Sequence, residues 1–254
     1  MIIDILALKA LEAAKKHKLI LVDYGIGPKY SYAVVEGSHG TAMGTAYFPA
    51  EDLCPGTADE VSITNLPELA SVPNVQSRSI GVALINAISQ YMMWNHGDAD
   101  GMEVIKNNLI ETVEKCCSGS KITVVGNMVP LVKKLQEKYD VRVLERNPKL
   151  RIRAFPDCFA PRIIPDSDVV IITGTAFVND TIDYVLQLSK DAKMRILVGP
   201  TAGMHTLWLN EYIDIVASLR IVDIDKTVEV IRKGGGRWDF TPYTEDYIIK
   251  MHKV

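Results

Sequence analysis

The chain has 254 residues, of which 48% are hydrophobic and 23% are charged, and its formal net charge at neutral pH is −3. These values are typical of a globular protein with one large domain or two ordinary ones. Because the net charge is small, we expect neither nucleic acid nor an anionic membrane as a partner. No apolar run approaches the roughly 20 residues that span a bilayer, and the N-terminus lacks the basic start of a signal peptide, so the sequence predicts a cytoplasmic protein.

The cysteines and histidines show no spacing that is typical of a metal site. None of the four cysteines lies in a Cys-x-x-Cys pair; they are Cys54, Cys116, Cys117 and Cys158. Adjacent helical residues such as Cys116 and Cys117 point about 100° apart and do not readily share one ion. We therefore expect small thiols in a reducing compartment, and the sequence predicts no metal-binding residues.

Helix and strand patterns alternate in the first part of the chain. Apolar residues at helical spacing predict an amphipathic helix over 3–17 and a buried, almost completely apolar helix over 79–94. Between them, a short strand over 18–24 precedes two runs, 30–35 and 41–48, that a glycine-rich turn joins into a hairpin.

The stretch over 51–73, which precedes the apolar helix, is loop-rich, with a helical turn predicted over 66–70. A further helix is predicted over 102–117, and glycine and serine residues end it. The sequence therefore predicts two domains, an α+β domain over 1–117 and an α/β domain over 118–254.

Apolar runs alternate with helical patterns in the second half, which predicts a doubly wound, mostly parallel sheet covered on both faces with right-handed crossovers. The predicted strands are 121–126, 141–145, 168–173, 194–199 and 213–217 with 219–223, and the predicted helices are 129–139, 177–190 and 226–233.

A Rossmann-like pattern opens this half. A β-branched run ends at Gly126, a helix follows, and the next strand ends at Glu145, where such folds bind ribose hydroxyls. The second and third glycines of the dinucleotide motif are missing, so the pattern predicts the fold without the pyrophosphate turn of NAD or FAD. A carboxylate at a strand end can equally be solvated or paired, and both interpretations of Glu145 stay open.

Polar turns follow four of the predicted strands. Because the carboxyl ends of parallel strands share one edge of a sheet, we expect these turns to line a ligand pocket, although each taken alone could simply cap a strand or a helix. The turns contain Gly126, Asn127 and Met128; Glu145, Arg146 and Asn147; Thr173, Gly174 and Thr175, with Asn179 beyond them; and Gly199, Pro200 and Thr201.

Two irregular segments are further candidates. Residues 146–166 form a long, proline-bearing stretch, and loops of that length are often functional. The three glycines at 234–236 exceed what a helix C-cap needs, and they could form a mobile flap, an anion nest or a plain connector.

Four segments carry a family resemblance: 78–87, 124–131, 170–181 and 197–201. In this order, and with the hairpin before them, they make the chain resemble the prokaryotic family labelled "putative heavy-metal chelation domain". The resemblance implies a first domain like the N-terminal domain of enolase, a Rossmann-like second domain, and a site in the cleft between them. It places in that cleft Arg78, Ser79 and Asn86 from the first domain, and Gly126, Asn127, Glu145, Thr173, Gly174, Thr175, Asn179, Gly199 and Pro200 from the second.

Three functional hypotheses follow. In the first, the protein binds a small polar or anionic organic ligand in the interdomain cleft and could be an enzyme of metal-chelate or heterocycle metabolism. Any link to metals would be made through that ligand. The second is a non-enzymatic metal carrier or sensor that uses one of the cysteines or His205. The third is an enzyme dependent on NAD or S-adenosylmethionine, with Glu145 on the ribose. The cofactor, the catalytic residues and the oligomeric state, including a homo-oligomer, stay open.

Overall fold

A computed structural model describes residues 1–98, 102–105, 108–116 and 120–251, without the side chains of Lys115 and Cys116. Its described helices are α1 (Ile2–Lys16), α2 (Leu66–Ser71), α3 (Val75–Gln90), α4 (Leu109–Cys116), α5 (Val129–Gln136), α6 (Ala160–Ile163), α7 (Thr175–Val178), α8 (Ile182–Leu188), α9 (Thr206–Leu209), α10 (Ile224–Arg232) and α11 (Arg237–Phe240). Its described strands are β1 (Ile20–Ile26), β2 (Tyr30–Gly37), β3 (Gly40–Tyr47), β4 (Glu103–Val104), β5 (Lys121–Val125), β6 (Asp140–Leu144), β7 (Val169–Thr173), β8 (Met194–Val198), β9 (Ile215–Ile221) and β10 (Thr244–Lys250).

The larger sheet has seven strands in the order β4-β10-β9-β8-β7-β5-β6. The five strands from β9 to β6 are parallel to one another. Beyond them, β10 pairs antiparallel with β9, and β4 pairs antiparallel with β10. Strand β5 has β6 on one side and β7 on the other, so the strand order reverses at β5 and the loops after β5 and β7 diverge. Ligands bind at such switch points in doubly wound folds. The predicted Rossmann-like, mostly parallel sheet is confirmed.

Helices cover both faces of this sheet. On one face, Val113 of α4 and Leu135 of α5 pack on Ile122 and Val124 of β5. On the other, Ile163 of α6 and residues of α8 pack on the alternate residues of the strands. Burial on both sides explains why these strands are continuous apolar runs without an apolar–polar alternation.

The smaller sheet contains the predicted hairpin, with β1, β2 and β3 antiparallel in that order. Strand β2 is covered on both faces: Ala33 and Val35 face the cluster built by α1 and α3, whereas Tyr32 and Val34 pack against α10 and β9. A Cβ atom on Gly44 would lie 2.1 Å from the Ala87 backbone nitrogen, so α3 rests directly on β3. This is the hairpin-containing sheet on helices that the resemblance implied.

The single helix predicted over 102–117 is wrong in its first half. Glu103–Val104 instead pairs with β10, and α4 begins at Leu109 because the Asn108 side chain accepts a hydrogen bond from the Glu111 backbone N–H at 3.0 Å. Both segments therefore belong to the layers of the larger sheet. The division of the chain at residue 117 stays a prediction, and residues 117–119 lie outside the described residues.

The helix predicted over 177–190 is two helices. Asp180 has a φ angle of 58°, and this left-handed residue ends α7 before α8 begins at Ile182. The sequence also missed β10, whose charged residues at 245 and 246 interrupt the apolar pattern. Among the described helices, none is long and apolar enough to cross a bilayer.

Candidate functional site

A cleft of about 840 Å³ lies between the small sheet and the carboxyl edge of the large one. The turns after β5, β6, β7 and β8 all line it, so the predicted convergence of the four turns is found. The residues predicted for the site that line it are Gly126, Asn127, Glu145, Thr173, Thr175, Asn179, Gly199, Pro200 and Thr201.

Glycine is required at two of these strand ends. Gly126 and Gly199 have φ angles of +95° and +104°, in the left-handed region that other residues rarely adopt. A Cβ on Gly126 would also come within 2.7 Å of the Thr173 Cγ2 atom. Gly174 plays a different part: a Cβ there would lie 2.4 Å from the Ala202 nitrogen, so this glycine lets two turns touch and does not line the cleft.

Glu145 holds two turns together. Its Oε2 atom accepts a hydrogen bond from the Asn127 N–H and its Oε1 atom accepts one from the Asn147 N–H, both at 2.8 Å. The Asn127 side chain then donates to the Leu150 carbonyl at 2.7 Å. Both carboxylate oxygens are thus engaged by backbone groups, so Glu145 is a paired strand-end acid in this arrangement, and a ribose would have to displace those bonds.

Beside the turn after β7, the side-chain oxygen of Asn179 differs from its neighbours in its hydrogen bonding. The Thr173 hydroxyl donates to the Thr175 hydroxyl at 3.2 Å, which orders the two side chains. The Asn179 Oδ1 atom, by contrast, is buried and has no hydrogen-bond partner among the described residues, although Asn179 lines the cleft. A buried amide oxygen without a donor is costly, and a bound molecule with an N–H or O–H group would satisfy it.

Two tyrosines of the small sheet cover the cleft. Tyr30 and Tyr47 are register partners at the open end of the hairpin, and their rings meet edge to face at 5.8 Å. Burial raises the pKa of both phenols, which keeps them neutral hydrogen-bond donors. The Tyr47 N–H donates to the Thr201 hydroxyl at 2.8 Å and so draws this cover onto the turn after β8. Sequence reasoning missed both tyrosines as site residues, although the predicted strands 30–35 and 41–48 contain them.

The mouth of the cleft contains Arg237 and Trp238, which directly follow the three glycines at 234–236. Trp238 is 70% exposed. Gly234 has a φ angle of +87°, and the Gly236 N–H donates to Asp239 at 2.7 Å, so the glycines make a tight reversal between α10 and α11. The irregular segment over 146–166 also lines the cleft, from Arg146 to Ile164, and Arg146 forms an ion pair with Asp52 of the first half at 2.8 Å.

Besides Gly174, three more residues that the resemblance placed in the cleft do not line it. The Arg78 Nε atom donates to the Val178 carbonyl at 2.6 Å. Ser79 is fully buried and donates to the Gln76 carbonyl. The Asn86 amide donates to the Thr45 carbonyl at 2.8 Å and to the Thr201 carbonyl at 3.0 Å. Arg78 and Asn86 join the two halves of the chain beside the cleft, whereas the Ser79 hydroxyl bonds within α3.

The proposed metal ligands are dispersed. Cys54 and Cys158 are free thiols; Cys158 is exposed at the cleft, whereas the Cys54 thiol contacts the Asp52 carbonyl. Cys117 and the side chain of Cys116 lie outside the described residues. Within the described ranges, no group of three or more His, Cys, Asp or Glu side chains could hold a metal ion.

The fold and cleft define a two-part α/β protein, with a hairpin sheet on helices joined to a Rossmann-like sheet. Residues 108–250 match the family DUF364, described as "Putative heavy-metal chelation", and residues 9–89 match DUF4213, which has the same description. The chain belongs to the DUF364 family, and the resemblance stated from the sequence is confirmed.

Relatives cover the whole chain. An uncharacterized protein of Methanocaldococcus jannaschii is 32% identical over 263 residues, which cover 99% of this chain and 98% of that protein. The crystal structure of a DUF364 protein with unknown function from Pyrococcus horikoshii superposes with a TM-score of 0.89 at 31% identity, covering 99% of this chain and all of that one. A DUF364 structure from Desulfitobacterium hafniense shares the fold, with a TM-score of 0.74 at 20% identity over 95% of this chain and 98% of that one.

Proposed function

We propose that the protein binds a small organic ligand with polar or anionic groups in the cleft between its two halves. The observation that carries this proposal is the Asn179 Oδ1 atom, a buried acceptor without a partner among residues that line an open cleft. A ligand N–H or O–H group at this atom would replace the missing hydrogen bond.

The size and walls of the cleft support a small molecule. Its volume of about 840 Å³ falls within the range of known ligand pockets. Apolar side chains, including Met128, Leu131 and Leu150, alternate with a few polar groups, a combination that binds an organic body and orients its polar substituents. The tyrosine hydroxyls of the cover would be further donors.

The anionic character of the ligand is supported by the groups near the turn after β5. Helix α5 has eight residues and starts at Val129, which lines the cleft, so its positive end is directed there. Arg146 and Arg237 also line the cleft, and each is already paired with an aspartate on the protein. A polar ligand with partial or single negative charge fits this balance better than a polyphosphate.

In this proposal, the family description refers to an organic chelator, or to the heterocycle from which a chelator is made, and the protein acts in its metabolism. Metal would reach the cleft only with that molecule. A dinucleotide fits less well, because Glu145 is engaged by two backbone N–H groups and the glycine turn lacks two of its three glycines.

Thermal-shift screening with nucleotides, pterins and chelators, followed by titration calorimetry, tests the proposal. We expect at least one of these classes to bind wild-type protein, and Asn179→Ala and Thr175→Ala to weaken that binding by about tenfold or more, since each removes a hydrogen-bonding group at the cleft. Thr41→Ala, at an exposed position of β3 outside the cleft, is the matched control. Unchanged affinity in both cleft variants would refute the site.

A further inference from the structure

Two oppositely charged segments border the cleft. The acidic segment is residues 51–60, which contain no basic residue and four acidic ones, Glu51, Asp52, Asp59 and Glu60. The basic segment is residues 146–162, which contain one acidic residue, Asp157, and five basic ones, Arg146, Lys149, Arg151, Arg153 and Arg162. The formal charges of the two segments are therefore −4 and +4, on a chain whose net charge is −3.

Contacts within the chain use few of these charges. Arg146 forms an ion pair with Asp52 at 2.8 Å, which places the two segments side by side. Five other charged side chains of the segments are exposed and make no ion pair with a residue that the structure describes: Glu51, Glu60, Lys149, Arg153 and Arg162. Water satisfies any one of these charges, but two opposite sets beside each other form a surface that complements itself.

Large apolar side chains are exposed among these charges. Ile152 in the basic segment is 77% exposed, and Leu53 in the acidic segment is 60% exposed. Leu150, Phe155 and Phe159 of the basic segment are exposed as well. Ile152 also has a φ angle of +49°, in the left-handed region that is unfavourable for a β-branched residue. An apolar patch with charged surroundings is typical of a surface that binds another protein.

Hydrogen bonds hold both segments in place. In the basic segment, the Arg151 guanidinium donates to the Arg146 carbonyl at 3.0 Å. In the acidic segment, the Gln76 side chain of α3 donates to the Cys54 carbonyl at 2.6 Å. Segments that are already ordered lose less conformational freedom when they bind a partner.

We propose that the two segments form the interface of a two-fold symmetric dimer, in which the acidic segment of one protomer contacts the basic segment of its partner. A two-fold rotation can place each segment opposite the other, so that every contact is made twice. Together the segments have about the 20–30 residues that a standard interface takes from each side. The apolar side chains supply most of the affinity, because exposed ion pairs contribute little, and the charges select the partner and the register.

A second copy of this chain fits the surface better than a polyanion. A nucleic acid or an anionic membrane would be attracted by the basic segment and repelled by the acidic segment beside it. Glu51, Arg146 and Leu150 also line the cleft, so the partner protomer would lie at its mouth. The dimer does not depend on a ligand in the cleft, and the two proposals can therefore fail independently.

Sedimentation velocity and light scattering of the wild-type protein measure its mass in solution. We expect two chains per particle, and a dissociation constant that rises by about tenfold or more between about 0.1 and 1 M NaCl, because salt screens the facing charges. A particle of one chain at all concentrations would overturn the dimer. A mass that keeps rising with concentration would overturn its two-fold symmetry.

Charge reversal tests the pairing of the segments. Glu51→Lys/Glu60→Lys cancels the net charge of the acidic segment, and Lys149→Glu/Arg153→Glu cancels that of the basic segment. Each variant alone should dimerise about tenfold more weakly or worse, because each contact then joins a charged segment to a neutral one. Mixed in equal amounts, the two variants should form a mixed dimer, in which the unchanged acidic segment of one contacts the unchanged basic segment of the other. Undiminished dimers of the folded variants, or no association on mixing, would contradict this pairing.

The exposed apolar side chain of Ile152 is tested separately. Ile152→Asn removes it, and because asparagine adopts the left-handed conformation more readily, the fold should not be weakened. We expect the affinity of the dimer to fall by about tenfold or more. Lys15→Glu/Lys16→Glu, at exposed positions of α1 outside both segments, is the control and should keep the wild-type mass. Circular dichroism establishes that each variant is folded, and wild-type affinity in the folded Ile152→Asn variant would refute the interface.

Discussion

Two neighbouring regions, the seam and the cleft, lie between the same two sheets and contain similar polar side chains. The hydrogen bonding of these side chains differs between the two regions. The seam is the set of hydrogen bonds from Arg78, Asn86 and Gln90 of α3 to the turns after β7 and β8. Gln90 is fully engaged there: its amide donates to the Gly203 carbonyl and the Tyr247 hydroxyl, and its oxygen accepts from the Trp94 ring nitrogen. At the cleft, the Asn179 oxygen has no partner in the part of the chain that the structure describes.

The difference teaches that position between two sheets does not by itself identify a binding residue. In the seam, the protein satisfies the donors of its polar side chains and gains rigidity. In the cleft, we propose that the unpartnered acceptor and the open volume serve a bound molecule. Asn86 is the informative intermediate: its Oδ1 atom also lacks a partner among the described residues, while its amide donates once across the seam, to Thr201, and once to Thr45 of β3.

The largest effect should come from adding a side chain at Gly44, where α3 packs directly on β3. Gly44→Val should destabilise the protein by about 3 kcal/mol or more, because the added carbon would meet the backbone of α3 at 2.1 Å and a backbone cannot rotate away. Urea unfolding measures the free energy. Thr41→Ala on the same strand should change it by less than about 0.5 kcal/mol, and equal stability of the two variants would refute the close packing of α3 on β3.

The next effect depends on pH. His205 is 2% exposed, and burial lowers its pKa to about 4 although Asp98 opposes the shift. An unfolded histidine titrates near 6.5, so the unfolded state takes up the proton first as the pH falls. The contribution of His205 to stability is therefore fully present above about pH 6.5 and is lost as the pH falls from about 6.5 towards 4. We expect a loss of order 3 kcal/mol by pH 4.

Urea unfolding at a series of pH values between 7 and 4 checks this, with His205→Gln as the comparison. The variant should show a flatter dependence of unfolding free energy on pH, because it has no imidazole to protonate. Parallel profiles for the two proteins would mean that His205 is accessible to protons in the folded state.

Two asparagines, Asn86 in the seam and Asn179 at the cleft, allow the two regions to be tested separately. Asn86→Ala should destabilise the protein by about 1–3 kcal/mol, because the carbonyls of Thr45 and Thr201 lose their donor in a buried setting. Asn179→Ala should leave stability almost unchanged and reduce ligand affinity. The measurements are unfolding free energy and calorimetric titration on both variants, and the comparison breaks down if the two asparagines exchange these effects.

The smallest effect is expected at the mouth of the cleft. The ion pair between Asp52 and Arg146 spans the two halves at 2.8 Å, but both side chains are partly exposed. Asp52→Asn should therefore lower the unfolding free energy by less than about 1 kcal/mol, with less effect at high salt. A loss of several kcal/mol in chemical denaturation would show that the mouth, and not only the seam, holds the halves together.

The sequence by itself determined the periodic elements and the turns that line the cleft. Apolar runs alternating with helices require a parallel sheet, and parallel strands bring their carboxyl ends to one edge, so Asn127, Thr175 and Pro200 could be placed together without coordinates. The family resemblance came from the same segments. Errors fell where local chemistry overrode the pattern, as at Asp180, which interrupts a helix, and Asn108, which starts one late.

Only the tertiary structure decided which polar residues face the cleft and which are used internally. Arg78 and Asn86 carry no sign in the sequence that backbone carbonyls will take up their hydrogen bonds. The ion pair between Asp52 and Arg146 likewise depends on how the segment after β3 packs beside the turn after β6, because two loops have no spacing relation along the chain. Periodicity fixes the face on which a residue lies, whereas its partner across an interface is set by packing between segments remote in sequence.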